Sequence, residues 1–394
     1  MAKQGMSKIR MGMVGGGEGA FIGAVHRMAA AIDGDIELVC GAFSRDPQCS
    51  RRSGAALMLP AERVYADYGA MMQAEAQLPV EQRMQFVAIV TPNNTHYPIA
   101  SAALAAGFHV LSDKPATLKL EQALALQAQL QQTGLLYGLT HIYTGYPMVK
   151  EARQRISAGQ LGVVRKVLVE YPQGWLADAQ ETSGNKQAAW RLDPAQAGIS
   201  GCMADIGVHA ASLAEYVTGL KILQLCADLT SFVEGRELDD DGSMLLRFDK
   251  GARGVLTASQ VCVGEENSLR IRVYGEKGGL EWSQLEPNTL WLKWPDRPTE
   301  MVRTGADYLS APARLNTRTP MGHPEGYLEA FANVYAAFAG QVRAREQGVE
   351  PDQRAQDCPG IDEAVRGMRF IELAVAASAS DIKWHDFESS KELL

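Results

Sequence analysis

The chain has 394 residues, more than one core usually supports, and 46% of them are hydrophobic, so two domains of a globular protein are expected, with three as the alternative. The formal net charge of -8, with no Lys/Arg-dense segment, excludes a general nucleic-acid binder. The six cysteines form no C-x-x-C pair and have no histidines at zinc-like spacing, and no leader-like or long apolar run occurs, so the expectation is a reduced cytoplasmic protein without structural metal or membrane attachment.

In the first part of the chain short β-like runs alternate with helical patterns, as in a parallel sheet covered on both faces. The strand candidates are 9–14, 36–43, 86–90, 109–111 and 135–139, and the helix candidates are 23–31, 47–57, 97–106 and 120–132, the last two closed by Gly107 and Gly134.

The first strand runs into "GMVGGGEGAFIGAVHR", Gly12 to Arg27. Strand, glycine turn and helix form the context of a phosphate-binding loop, with Gly15, Gly17, Phe21 and Ile22 nearest the pyrophosphate. Its glycines are not spaced as G-x-G-x-x-G, so at this point a nucleotide loop with an insertion and a flexible turn stand level. After the second strand, "GAFSRDP" puts Ser44 and Arg45 where an acid usually meets the adenosine ribose, with Asp46 slightly late, which leaves NAD against NADP open.

Two further polar segments, "TPNNTHYP" and "VLSDKPATL", follow β-like runs, and ligands sit at the carboxyl ends of such strands. Thr91, Asn93, Asn94 and His96 offer hydrogen bonds, and Asp113 and Lys114 precede a proline. By residue type alone Lys114 is a solvated lysine; its place at a strand end favours a role in the site.

A helix over 148–158 follows, and then strand-like runs at 163–171, 222–230, 243–248, 253–261, 269–274 and 289–294, several separated by turn signals. These imply a second domain with a mostly antiparallel sheet. Residues 297–321 read as a long loop, and amphipathic helices are expected at 324–345 and 361–377. The domain boundary is placed at 145, giving domains 1–145 and 146–394.

Within the second domain, "AGISGCMADIGVHAASLAEYVTG" puts Asp205 and His209 at i and i+4 on one helix face, a carboxylate and an imidazole fit to move a proton from an alcohol. An isolated D-x-x-x-H is more often a helix pair than a site. The segments "HIYTGYP", "EYPQGW", "GNKQAAWRLDP" and "MGHPEGY" mix rings with polar groups, a composition suited to sugar recognition, although core packing explains part of it. They nominate Tyr143, Tyr146, Gln173, Trp175, Lys186, Trp190, Arg191 and His323 as substrate-binding residues.

Together, in order, the glycine loop with G-x-x-H, "TPNNTH", "SDKP", "GCMADIGVH" and "VYGEKGGLEW" resemble the glucose–fructose oxidoreductase, inositol dehydrogenase and rhizopine-catabolism (Gfo/Idh/MocA) family. The resemblance implies an α/β Rossmann domain plus an α+β C-terminal domain with a large, mostly antiparallel open sheet that commonly forms a homo-dimer or homo-tetramer interface. It implies NAD as cofactor, NADP remaining open, and catalytic positions Lys114, Asp205 and His209. Asp113 stands where the family usually has glutamate. The polar and aromatic segments further resemble a branch acting on pyranosides, often at C3, some members of which are redox-neutral glycosidases that retain NAD, sulfoquinovosidases among them. Lys186 and Arg191 would suit an anionic glycoside there. A non-catalytic sugar sensor is the reading from another class.

Overall fold

Ile9–Gly15 forms β1, whose residues Met11 and Met13 are buried at 1% and 0% exposure because helices cover both faces of its sheet. The computed structural model describes residues 7–387 and divides into two compact units. One runs to Ile142 and takes in Tyr327–Val365; the other is Tyr143–Gly326 with the chain from Arg366 onward.

In the first unit β1 is followed by α1 (Phe21–Ile32), β2 (Ile36–Ala42), α2 (Pro47–Ala56), α3 (Tyr68–Gln77), β3 (Phe86–Val90), α4 (His96–Ala105), β4 (His109–Ser112), α5 (Leu120–Thr133) and β5 (Tyr137–Leu139). The strands pair in the order β2-β1-β3-β4-β5, every pair parallel. β1 thus has β2 on one side and β3 on the other, the switch point at which open α/β sheets bind ligands beyond their carboxyl ends. Gly134 closes α5 at φ 64°, as its position at the end of the apolar pattern predicts.

The sequence reading passes over α3. Its inward face carries Glu75 beside Met71 and Met72, and the carboxylate breaks the apolar stripe. Glu75 is nonetheless fully buried, because Arg63, the Tyr65 hydroxyl and the Met84 N–H all donate to it.

The second unit begins with α6 (Pro147–Ser157) and β6 (Val164–Pro172), then the short helices α7 (Lys186–Arg191) and α8 (Pro194–Ala197). A π-helical turn, Met203–Gly207, leads into α9 (Val208–Thr218). β7 (Ile222–Thr230), β8 (Asp241–Phe248), β9 (Arg253–Ser259), β10 (Arg270–Gly275), β11 (Gly279–Ser283), β12 (Thr289–Lys293) and β13 (Glu300–Arg303) follow, then α10 (Ala311–Leu315). The chain next forms α11 (Tyr327–Gln347), which belongs to the first unit, then α12 (Ile361–Ser378) and the short β14 (His385–Asp386).

The large sheet has the order β13-β12-β11-β10-β6-β9-β8-β7-β14. Its neighbours are antiparallel except β6 and β9, which run parallel and bring Pro172 level with Ser259. Three of its strands, β11, β13 and the two-residue β14, were not anticipated. "GEKGG" reads as a turn, and it is one, but Gly279 already starts β11; β13 lies inside the stretch read as a long loop. Among the described residues no helix is long and apolar enough to cross a membrane.

Candidate active site

β1 ends with Gly15 at φ 87° and Gly16 at φ 69°, backbone conformations that favour glycine. A Cβ on Gly23, in the first turn of α1, would stand 2.3 Å from the Gly16 Cα, so turn and helix meet backbone to backbone. The irregular residues are tied down: the Gly17 N–H donates to the Phe43 carbonyl at 3.2 Å, and the Glu18 N–H to Ser53 Oγ at 3.0 Å. Phe21 and Ile22 open α1, Phe21 exposed, and no side chain caps the helix N-terminus. A glycine turn at the sheet's switch point, feeding an uncapped helix N-terminus, fits a dinucleotide pyrophosphate.

Ser44 and Arg45 follow β2, with Arg45 exposed. Asp46, the late acid, caps α2 instead, accepting from the Gln48 N–H at 2.9 Å.

At the end of β3, Thr91 accepts a hydrogen bond from Thr95 Oγ1 (2.7 Å), and Asn93 and Asn94 enter a short 3₁₀ turn. His96, nominated as a cofactor contact, lies inside the protein. It is 1% exposed, with Nδ1 2.8 Å from the Pro115 carbonyl and Nε2 2.7 Å from the Thr91 carbonyl. It ties the loop after β3 to the loop after β4. Burial depresses its pKa, against the pull of the two carbonyls and Asp113.

The loop after β4 carries Asp113 and Lys114, with a cis bond to Pro115. Asp113 Oδ1 accepts from the Lys114 N–H (2.9 Å) and from Thr140 Oγ1 (2.6 Å), and Oδ2 lies 3.7 Å from His26 Nε2. Burial alone would raise this carboxyl; hydrogen bonding and charge from His26, then Lys114 and Thr140, overcome it and hold the group well below the carboxylate range. His141 is pushed down to about 4 by burial and then by the charge of Lys114.

In the second unit the glycine-rich entry serves a backbone approach. A Cβ on Gly201 would stand 2.5 Å from the Asp239 carbonyl, while the Asp239 carboxylate accepts from the Gly201 and Met203 N–H groups at 2.9 Å each. The chain then enters the π-helical turn that bears Asp205, and His209 follows on α9. The expectation of one regular α-helix is therefore corrected: a wider turn, of a kind frequent at functional sites, presents the carboxylate.

Asp205 Oδ2 accepts from Gln260 Nε2 at 2.9 Å and lies 3.3 Å from Arg191 Nε. The Trp175 indole N–H donates to Gln173 Oε1 at 3.0 Å, and Gln260 Nε2 is 3.4 Å from the same oxygen. Gln173 Nε2 and the Tyr171 hydroxyl both donate to Asn267 Oδ1, at 2.5 and 2.8 Å. Tyr171 also hydrogen-bonds Tyr143, whose ring packs edge-on against buried His209 at 4.9 Å between centroids. The array thus joins Gln173, Trp175, Arg191, Asp205, Tyr143 and His209.

The remaining nominees sit differently. Tyr146 is 3% exposed, with its ring against Tyr143 and Trp282, a core position. Trp190 lies beneath the Arg191 guanidinium, 4.3 Å from its centroid. Lys186 is exposed at the first residue of α7, and His323 is on an exposed turn where Thr319 Oγ1 donates to its carbonyl.

The model of the oxidoreductase family with an NAD-binding Rossmann fold matches residues 9–141, and that of the GFO/IDH/MocA C-terminal domain matches residues 149–281. The oxidoreductase YfiI of Bacillus subtilis is 32% identical over 96% of this chain and 97% of its own. The chain belongs to the Gfo/Idh/MocA family.

An inositol dehydrogenase homolog from Azotobacter vinelandii, solved with NAD+, superposes on this Gfo/Idh/MocA protein with a TM-score of 0.91 at 35% identity, covering 96% of this chain and 97% of that one. The same homolog has been solved with NADH and myo-inositol, at a TM-score of 0.89. Levoglucosan dehydrogenase of Pseudarthrobacter phenanthrenivorans is 24% identical over 70% of this chain and 73% of its own. The protein is an NAD-dependent oxidoreductase.

Sequence reasoning missed Gln260, Asn267 and Tyr171 in this Gfo/Idh/MocA protein. Gln173 and Gln260 each stand one residue past the strands of the single parallel pair in the large sheet, β6 and β9. A glutamine after each apolar run was the available signal; that the two runs are neighbours was not visible.

Proposed function

We propose that the protein oxidises a ring hydroxyl of an uncharged polyhydroxylated ring, a cyclitol or a sugar (at C3 for a pyranoside), with NAD+ as oxidant. The observation that carries this reading is the array around Asp205. Amide, carboxylate and phenol groups alternate with the Trp175 and Trp190 rings, a set suited to several hydroxyls and one sugar face. The homolog solved with myo-inositol and the levoglucosan dehydrogenase support the same class.

In this mechanism His209 accepts the proton of the reacting hydroxyl, and its edge-on contact with Tyr143 limits the ring's rotation. Asp205 holds that hydroxyl in place. Lys114 stabilises negative charge as it grows on the oxygen, and the hydrogen bonds of Asp113 to the Lys114 N–H and to Thr140 fix the loop that carries it. Bound NAD supplies the acceptor for the hydride. Gly15, Gly17, Phe21 and Ile22 would hold its pyrophosphate, with Thr91, Asn93 and Asn94 toward its ribose and nicotinamide.

The test is incubation of the purified protein with NAD+ and a panel of inositols, levoglucosan and aryl glycosides. Reduced nicotinamide should accumulate with at least one of them. Aglycone release without reduced nicotinamide would replace this reading with a redox-neutral glycosidase. For the quaternary state we propose a homo-oligomer built on the large sheet, where outward residues such as Leu245 and Trp291 are exposed between buried neighbours.

A further inference from the structure

The contacts around Asp205 close on themselves. Arg191 Nε faces Asp205 Oδ2 at 3.3 Å, and the same oxygen accepts from Gln260 Nε2 at 2.9 Å. Gln260 reaches Gln173 Oε1, which also receives the Trp175 indole N–H; the Trp175 ring lies 6.0 Å from the Arg191 guanidinium carbon, which completes the circuit. Arg191 is fixed on its far side too. Its Nη1 donates to Gln187 Oε1 at 2.7 Å and to the Gln187 carbonyl at 3.2 Å, and its plane stacks on Trp190.

The loop that carries α7 is itself anchored. Arg236, 1% exposed at its side chain, donates to Glu181 Oε1 at 3.0 Å and to the Asp178 carbonyl at 2.9 Å. It also pairs with Asp240 at 3.0 Å.

We propose that Arg191 and Gln260 are positioning residues that act through Asp205, fixing the rotation of its carboxylate, and that Arg191 is not a binding group for a substrate anion. This rests on the proposed role of Asp205 toward the reacting hydroxyl. Two partners on one oxygen fix the carboxylate where a single partner leaves it to swivel. A guanidinium that is stacked, bonded to Gln187 and paired with a carboxylate has its charge compensated inside the protein. The geometry therefore gives a different role to the residue whose type pointed to a sulfonate or carboxylate substituent.

The experiment compares Arg191→Met, Arg191→Lys and Gln260→Leu, each alone and in an Asp205→Asn background, in protein loaded with NAD+ and offered myo-inositol and levoglucosan. Arg191→Met and Gln260→Leu should each lower kcat/KM by about 10- to 100-fold, chiefly through kcat, with partial rescue in Arg191→Lys. In the Asp205→Asn background the further loss should shrink to about threefold or less. Losses that multiply undiminished in that background, or a rise in KM alone, would overturn the proposal.

A second readout needs no turnover, so it decides the matter even if neither probe is oxidised and the reading of the reaction falls. In protein labelled at aspartate 13Cγ, the Asp205 resonance, assigned by its loss in Asp205→Asn, is titrated. Its ionisable surroundings are Arg191 from α7, His209 one turn on, and Cys202, a buried thiol raised by burial and then by Asp239, Asp205 and the neighbouring carboxylates. Removing the guanidinium should move the Asp205 midpoint upward, because a nearby cation favours the carboxylate, and Arg191→Lys should move it less. A midpoint unchanged in Arg191→Met would contradict the proposal.

Discussion

His26 Nδ1 lies 2.7 Å from the Tyr335 hydroxyl, while its Nε2 faces the Asp113 carboxylate at 3.7 Å. One wholly buried imidazole on α1 thus joins α11 to the loop that carries Lys114. The histidine of the G-x-x-H pattern is there to serve that loop, and Phe331 packs edge-on against it at 4.5 Å.

Tyr335→Phe removes one hydrogen bond and should cost about 1 kcal/mol of stability. His26→Leu also strips the part-buried Asp113 carboxylate of a neighbour that favours its charge, and should cost roughly 3 kcal/mol while weakening NAD binding. Urea unfolding of both variants, with NAD titration by fluorescence, checks the order. Equal costs would mean that Asp113 draws nothing from His26.

Stability should fall on acidification in two stages. His109 and His141 are both lowered to about 4 by burial, so the unfolded chain takes up their protons first. Their contribution is complete above the unfolded value near 6.5 and is lost as the pH drops from there to about 4, roughly 3 kcal/mol for each. The depressed Asp113 carboxyl contributes above about pH 4 and is lost only below it. The check is the urea midpoint as a function of pH: His109→Gln should flatten the first stage, and Asp113→Asn should flatten the second.

Gly23→Ala places a methyl group against the Gly16 backbone, where no flexible side chain can yield. Turn and helix must separate, so NAD should bind at least about tenfold more weakly while the second unit keeps its structure. Fluorescence titration measures the first effect and near-ultraviolet circular dichroism the second. Undiminished affinity would mean that the irregular loop is not the pyrophosphate seat.

The sequence made legible whatever has a local signature. The strand, glycine turn and helix around Gly15 were readable because positive φ and close backbone approach demand glycine, and the two late helices because their apolar positions recur. The site in the second unit was half visible. Asp205 and His209 stood out by spacing, but the π-helical turn has no local pattern: it depends on the Asp239 carboxylate holding the Gly201 and Met203 N–H groups from the far side of α9 and β7. Gln260 meets Gln173 across 87 residues because β6 and β9 pair in parallel, a register that neither segment encodes alone. Arg191 read as a cation suited to an anion, and its pairing with the Asp205 carboxylate had no local sign in the sequence.

In the proposed reaction His209 removes the proton of a hydroxyl whose carbon is oxidised by NAD+. The most direct measurement records reduced nicotinamide and released aglycone in the same reaction, for wild-type protein and His209→Ala, across inositols, levoglucosan and aryl glycosides. Reduced nicotinamide should form in step with ketone product, without aglycone, and turnover should fall about 100- to 10,000-fold in His209→Ala with NAD affinity kept. Aglycone release with the nicotinamide left oxidised, or full oxidation by His209→Ala, would contradict it.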